Sequence, residues 1–339
     1  QKFACCPRTL LWGIGGLLAV WILGIFYVPG GFHTAFHEDH QMLRFIYVPV
    51  LLWLAQGART QYLVGCAFVG IMALSVVLGV VQHYGLLDLP LRYSSGSIFK
   101  NHIATSFFVS IAAYLSAYHY IRVSQYRKQA LGLTALFVFF LLFVCMGRTG
   151  LVTLITLFLL LGWQYKRFKG FFAAVCVVAV VTGAMSVLSE TLKERWQFLG
   201  NQTSAVQQKE DISIQLRKEF AVESWNIFKQ KPLLGYGTGS FGIVYKEQVQ
   251  DKPIITDDPH QEYLRFMVEH GVLGLLALFA FFALQWFRPH PEKRELCQAL
   301  ALVYAVGCMG NSMLMNFSES HLYILGLALC YAPMRELNK

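Results

Sequence analysis

The run DDPHQEYLRFMVEHGVLGLLALFAFFALQWF, from Asp257 to Phe287, decides the fold class. From Gly271 to Phe287 it holds no charged residue, and from Gln261 onward it is long enough to cross a hydrocarbon core of about 30 Å as an α-helix. Aspartate followed by proline marks a helix start: Asp258 can cap the free amides, and Pro259 suits the first helical position. His260 then falls in the first turn, at the membrane boundary, where the positive end of the helix dipole favours a neutral imidazole able to accept a proton. A histidine that merely marks the interface fits the spacing equally well.

Within the same span Glu262, Arg265 and Glu269 follow at steps of three and four, on one stripe, so that Arg265 can pair with both carboxylates. Glu269 and His270 lie about two turns into the membrane, where ionisable groups are costly and function is the default hypothesis. An ion-pair ladder that only fixes helix packing competes with it, so Gln261, Glu262, Arg265 and Glu269 rank as supporting residues. Gly271 and Gly274 point to close helix contact.

Working outward, the remaining composition agrees with a bilayer. The 339 residues are 56% hydrophobic and 14% charged, against about 25% charged in soluble domains. Further apolar runs stand near 9–28, 42–57, 60–84, 101–121, 129–147, 149–165, 169–188, 296–315 and 320–333, which with 261–287 makes about ten spans. The fold expected is all-α, a polytopic transmembrane helix bundle. It divides into N-terminal spans over 1–188, one large loop over 189–259 and three C-terminal spans over 260–339.

The formal charge of +9 does not point to nucleic acid, because its basic residues collect in alternate short loops. Those loops hold Lys2 and Arg8, Arg59, Arg122 to Lys128, Lys166 to Lys169, Arg288 to Arg294, and Arg335 with Lys339. By the positive-inside rule they are cytoplasmic, and the loop 189–260 is outside. The eight cysteines lie in or beside apolar segments, which argues against a disulfide framework or a zinc ribbon. The chain opens at Gln1 with a basic stretch and no signal-peptide cleavage site, and further N-terminal residues are expected.

The large loop predicts a helix from Asp211 or Ser213 to Lys229, with Leu216, Phe220 and Ile227 on one packed face and Lys231-Pro232 as its stop. Gly235-Tyr236-Gly237-Thr238-Gly239 follows, a segment built for tight turns and close backbone approach rather than a phosphate loop. Arg148, in Met146-Gly147-Arg148-Thr149-Gly150, interrupts two apolar runs. It can snorkel to headgroups, or its planar fork can hold a phosphate. Arg217, beside Lys218 and Glu219, is a similar candidate against a solvated-face alternative. His33, His37 and His40 have metal-ligand spacing on a helix, but no further ligand set accompanies them and a polar cap fits better. Histidines concentrate on the expected outer side, His102 in Lys100-Asn101-His102 among them.

These residues resemble the O-antigen ligase/polymerase superfamily, and within it an O-antigen ligase. The motifs are Gly147-Arg148-Thr149-Gly150, Arg217 through Trp225, Pro232 with Gly235 to Phe241, and Pro259-His260-Gln261-Glu262-Tyr263. The resemblance covers roughly 140 to 290, and the rest follows by topology. It implies a membrane-embedded, type C-like glycosyltransferase of the bacterial inner membrane with a periplasmic active site, about twelve spans, no cofactor and no metal. The donor implied is O-antigen on undecaprenyl diphosphate and the acceptor lipid A-core, giving lipopolysaccharide by an inverting transfer. Arg148 and Arg217 map onto the family's diphosphate-binding arginines and His260 onto its general base, with Gly237 and Gly239 as supporting residues. An O-antigen polymerase or a protein O-oligosaccharyltransferase would use a similar donor. A lipid-linked glycan transporter is the reading from a different class.

Overall fold

The computed structural model describes residues 8–86, 97, 98, 100–145, 147–188, 205–249 and 256–333. Every regular element among them is helical: α1 (Arg8–Ile25), α2 (Gly31–Asp39), α3 (Val48–Leu54), α4 (Ala58–His83), α5 (His102–Arg122) and α6 (Arg127–Phe139), then α7 (Arg148–Leu188), α8 (Ala205–Phe228), α9 (Phe241–Gln248), α10 (Glu262–Phe287), α11 (Arg294–Gly307) and α12 (Phe317–Tyr331). Among the described residues, five stretches are long and apolar enough to cross a bilayer: Arg8–Ile25, Ala58–His83, Arg127–Val144, Arg148–Val181 and Glu262–Phe287. The chain is a polytopic helical membrane protein.

Helical structure stands at each of the ten expected positions, but not always as one long rod. The run 42–57 is a 3-10 segment (His40–Tyr47) followed by the short α3, with proline in the first turn of α3. The run 296–315 is helical only to Gly307, and an irregular turn region over 308–316 replaces its end. Gly307, Gly310, Asn311 and Ser312 explain this, since such residues favour turns over a continued helix. The expected pair 149–165 and 169–188 is present as two arms of α7, which reverses at Lys166 and Arg167, the latter with φ 51°. Gly162 and Gly170 face each other across that reversal, and a Cβ on Gly162 would lie 2.9 Å from the Gly170 carbonyl carbon.

The chain forms two compact units. One comprises Tyr62–Gln208 and the other Gln1–Gln61 with Lys209–Lys339. In the first, α5 packs on both α6 and α7. Asn101 caps α5 by accepting the Ala104 amide at 2.9 Å. Small residues bring α5 and α7 together: Gly147 and Gly150 leave no room for a side chain against Ser106, and the Ser110 and Thr153 hydroxyls share a hydrogen bond of 2.8 Å. The glycines flanking Arg148 thus have a packing role of their own.

In the second unit α1 lies along α10, and α11 and α12 pack beside it. Tyr304 and Tyr323 stack at 4.1 Å, and the Tyr323 hydroxyl donates to Gln285 at 3.0 Å, so the buried phenol is satisfied. Arg44 donates to the Ser320 hydroxyl at 2.6 Å and stands over the Phe317 ring, which accounts for a cation on the side where the sequence expects few. At the other end of α12, buried Lys293 donates to the carbonyls of Leu329 and Ala332 and to Gln61. That lysine closes the helix C-terminus.

Candidate active site

α10 is two helices joined at Gly271, whose φ of 62° and ψ of −154° no helix allows. About nine residues separate this break from the helix start, some 13 Å of rise. A break there strands backbone groups, which hydrocarbon cannot satisfy. The segment Pro232–Gly237 fills the gap: Pro232 and Leu233 carbonyls accept the amides of Val272 at 2.8 Å and Leu273 at 3.4 Å. In return the Val268 and Glu269 carbonyls accept the amides of Tyr236 at 3.0 Å and Gly237 at 2.8 Å. Both chains need glycine for this approach. A Cβ on Gly235 would meet the Val268 carbonyl at 2.5 Å, one on Gly237 the Gly24 carbonyl at 2.6 Å, and both glycines have positive φ.

The glycine segment therefore serves backbone approach, as its spacing predicts, and it carries α9 against α10. Phe220 and Ile227 of α8 pack with Tyr236, Phe241, Val244, Tyr245 and Val268, and Leu216 joins them. The packed face expected for the loop helix is present, while Trp225 stays half-exposed. α8 begins at Ala205, earlier than the predicted Asp211 or Ser213.

Charge gathers at the α10 break. The Glu269 carboxylate receives the Phe241 amide at 3.3 Å, at the start of α9, and a Gly239 amide beside it. Arg265 Nε lies 3.2 Å from Glu269 and its Nη2 lies 3.4 Å from Asp39, while Nη2 also donates to the Glu38 carbonyl at 3.3 Å. All three side chains are buried. The predicted ladder is thus half right: Arg265 pairs with Glu269, but Glu262 turns away and accepts the Leu314 amide at 2.8 Å. A backbone donor from the 308–316 turn outcompetes the guanidinium, which Asp39 and Glu269 already hold. Burial and the facing Glu269 carboxylate push the Asp39 carboxyl well above the usual carboxylate range. Asp39 was legible in the sequence only as part of the histidine-rich stretch around it.

Asp39, Glu269 and His270 bring potential metal-ligand atoms within 4.8 Å of one another. Arg265 already supplies a fixed cation to both carboxylates, which disfavours a second one there. His33 and His37 share a face with rings 5.9 Å apart, but His40 falls in the 3-10 segment and turns to the Phe36 carbonyl at 3.1 Å. The expected three-histidine face is therefore a pair.

His260 departs from its expected placement. α10 starts at Glu262, and its cap is Gln261, whose side chain accepts the Leu264 amide at 2.7 Å. His260 precedes the helix in a left-handed conformation, φ 53°, so it is neither in the first turn nor positioned by Pro259 as the first helical residue. Asp258 instead caps the turn itself, accepting the His260 amide at 2.9 Å. The imidazole is half-exposed, with Nδ1 3.6 Å from the other Asp258 oxygen.

Of the remaining candidates, Arg217 is exposed on α8 in the same unit. Arg148 is exposed at the start of α7 in the other unit. The second unit thus brings together Gly237, Gly239, Arg265 and Glu269 around the break, with Gln261 and Glu262 at the head of the same helix. Residues 133–279 match the family model described as O-Antigen ligase. A search of curated proteins finds no match.

Proposed function

We propose, for a chain whose residues 133–279 belong to the O-antigen ligase/polymerase superfamily, that it transfers O-antigen from undecaprenyl diphosphate to a sugar hydroxyl of lipid A-core. An O-antigen ligase/polymerase-type glycosyltransferase activity comes with the family; donor, acceptor and orientation are this reading's own. The active face is periplasmic and the membrane is the bacterial inner membrane, in keeping with the basic loops on the opposite side.

The observation that carries the reading is His260: a half-exposed imidazole beside a carboxylate, at the mouth of a span, in a backbone conformation that few non-glycine residues adopt. The acceptor hydroxyl attacks the anomeric carbon, its proton passes to the imidazole, and the bond from that carbon to the diphosphate oxygen breaks. Undecaprenyl diphosphate leaves with the electron pair, and direct attack inverts the anomeric configuration. Negative charge grows on the leaving group, and guanidiniums stabilise it without a metal. Arg148 and Arg217 carry that role by their motifs.

The transport reading draws on the broken α10, since transporters use paired broken helices. Here the chain's own Pro232–Gly237 segment takes up the amides and carbonyls of the break, which favours a structural role for it. Reconstitution with purified lipid-linked O-antigen and lipid A-core tests the proposal. Ligated lipopolysaccharide, formed equally with excess EDTA, is the expected product. A lengthened lipid-linked glycan would reassign the chain to polymerase chemistry, and absence of any transfer would sink the reading.

A further inference from the structure

His260 stands in its left-handed conformation because of what surrounds it, and the surroundings converge on one carboxylate. Asp258 Oδ1 accepts both the His260 amide at 2.9 Å and the Ser312 hydroxyl at 2.6 Å. Its Oδ2 faces His260 Nδ1 at 3.6 Å. The Asp258 backbone is held in turn by Thr256, whose hydroxyl donates to the Asp258 carbonyl at 2.7 Å. Ser312 does not drift relative to α10, because Glu262 clasps its turn on both sides. The Glu262 amide donates to the Cys308 carbonyl at 3.0 Å, and the Glu262 carboxylate accepts the Leu314 amide at 2.8 Å. Glu262 is fully buried, so this clasp is shielded from competing water.

We propose that Asp258, fixed by Ser312, is a positioning residue for His260: its carboxylate holds the Nδ1 edge of the ring and leaves Nε2 to take the acceptor proton. This rests on the function proposed above. The 3.6 Å separation exceeds a hydrogen bond, and such bonds commonly tighten only when substrate is bound. A carboxylate beside Nδ1 fixes the tautomer and stabilises the imidazolium formed as the proton arrives. The buried Glu262 and the 308–316 turn thereby become the support of the base, which gives a carboxylate at a buried helix start a role.

The decisive variant is Asp258→Asn, because an amide oxygen still accepts from the His260 amide and the Ser312 hydroxyl while the charge at Nδ1 is gone. A purely structural Asp258 predicts a wild-type enzyme. The positioning role predicts kcat lowered about 10- to 100-fold, with acceptor KM and the unfolding temperature unchanged. Ser312→Ala, which frees the carboxylate without touching it, should lower kcat by a smaller factor, again at constant KM. A second readout needs no substrate: the rate at which diethylpyrocarbonate modifies His260 at pH 8, with exposed His33 as the internal reference. Asp258→Asn should slow modification at His260 alone. Wild-type kcat and modification rate in both variants would overturn the proposal. If the wild-type protein transfers no glycan, the function reading fails, while the modification rates still decide whether Asp258 acts on the ring.

Discussion

The backbone amide of Val272 donates to the carbonyl of Pro232 at 2.8 Å, across a break in the middle of a membrane-spanning helix. The relationship explains why the loop motif and the span motif occur in one chain. Neither half of α10 can end at bilayer depth unless another backbone completes it, and Pro232–Gly237 is that backbone. The loop helix α8 and the short α9 are thereby anchored to the span that begins next to His260.

Gly271 is the residue on which this joint turns. A Cβ there would lie 2.5 Å from the Leu233 carbonyl carbon and 2.6 Å from the Pro232 oxygen, at a positive φ. Gly271→Ala should therefore lose roughly 3 kcal/mol or more, combining backbone strain with broken hydrogen bonds. Gly132→Ala, on α6 with open space around it, is the matched control and should be neutral or stabilising by about 0.5–1 kcal/mol. Thermal unfolding of the two purified variants in detergent measures the difference; equal midpoints would mean that the break bears no load.

The charge cluster at the break predicts opposite effects for its two carboxylates. Glu269→Gln keeps an oxygen that can accept the Phe241 amide but removes the anion nearest Arg265 Nε, so it should destabilise by leaving that buried guanidinium short of a partner. Asp39→Asn should stabilise, and increasingly so as pH rises. The Asp39 carboxyl titrates above its unfolded value, so the stability tied to its proton is fully present below about pH 3.9 and is lost as pH climbs through the folded value. Asparagine has no such loss. Unfolding midpoints of wild type and Asp39→Asn, compared between pH 5 and pH 8, read the sign directly. A variant that loses ground toward pH 8 would show that Asp39 contributes as an ion.

How much of this was legible beforehand depends on the range of the interactions. Span positions came from apolar run length, which is local, and most helix boundaries fall within a few residues of the expected ones. The packed face of α8 followed from the spacing of Leu216, Phe220 and Ile227. Local rules failed at His260, where Asp258-Pro259 reads as a helix start. The choice between that cap and the observed turn was made by Ser312, Cys308 and Leu314, some fifty residues away in sequence. Of the two expected partners of Arg265, Glu269 holds and Glu262 does not, for the same reason: Glu262 is near in sequence, but Asp39 reaches the guanidinium through the fold. Gly271 read as a contact glycine, since nothing in the sequence announces that a distant Pro232 will complete a broken helix.

Orientation is open to a direct test. By the positive-inside rule the basic loops predict Ser124 in the cytoplasm and Gln248 outside. Both positions are exposed, so single cysteines there are accessible to a membrane-impermeant maleimide. With the outer membrane permeabilised and the inner membrane intact, Gln248→Cys should label and Ser124→Cys should not. The reverse pattern would invert the topology and move His260 to the wrong side for a lipid-linked periplasmic donor.

The proposed chemistry assigns different losses to the arginines and the histidine. Arg148→Ala and Arg217→Ala remove groups proposed to meet the diphosphate, so each should weaken donor binding as well as turnover. Lysine should rescue them only in part, because a point charge cannot reproduce the planar fork. His260→Ala leaves both guanidiniums in place. It should bind undecaprenyl diphosphate like the wild type and lose transfer by about 10²–10⁴-fold, the usual range for a missing acid or base. Donor binding and ligation measured side by side on detergent-purified variants separate the two roles. Near wild-type ligation by His260→Ala would remove the base from the mechanism. A folded His260→Ala protein that cannot bind donor would move His260 to the diphosphate instead, and the carboxylate of Asp258 would then need a different explanation.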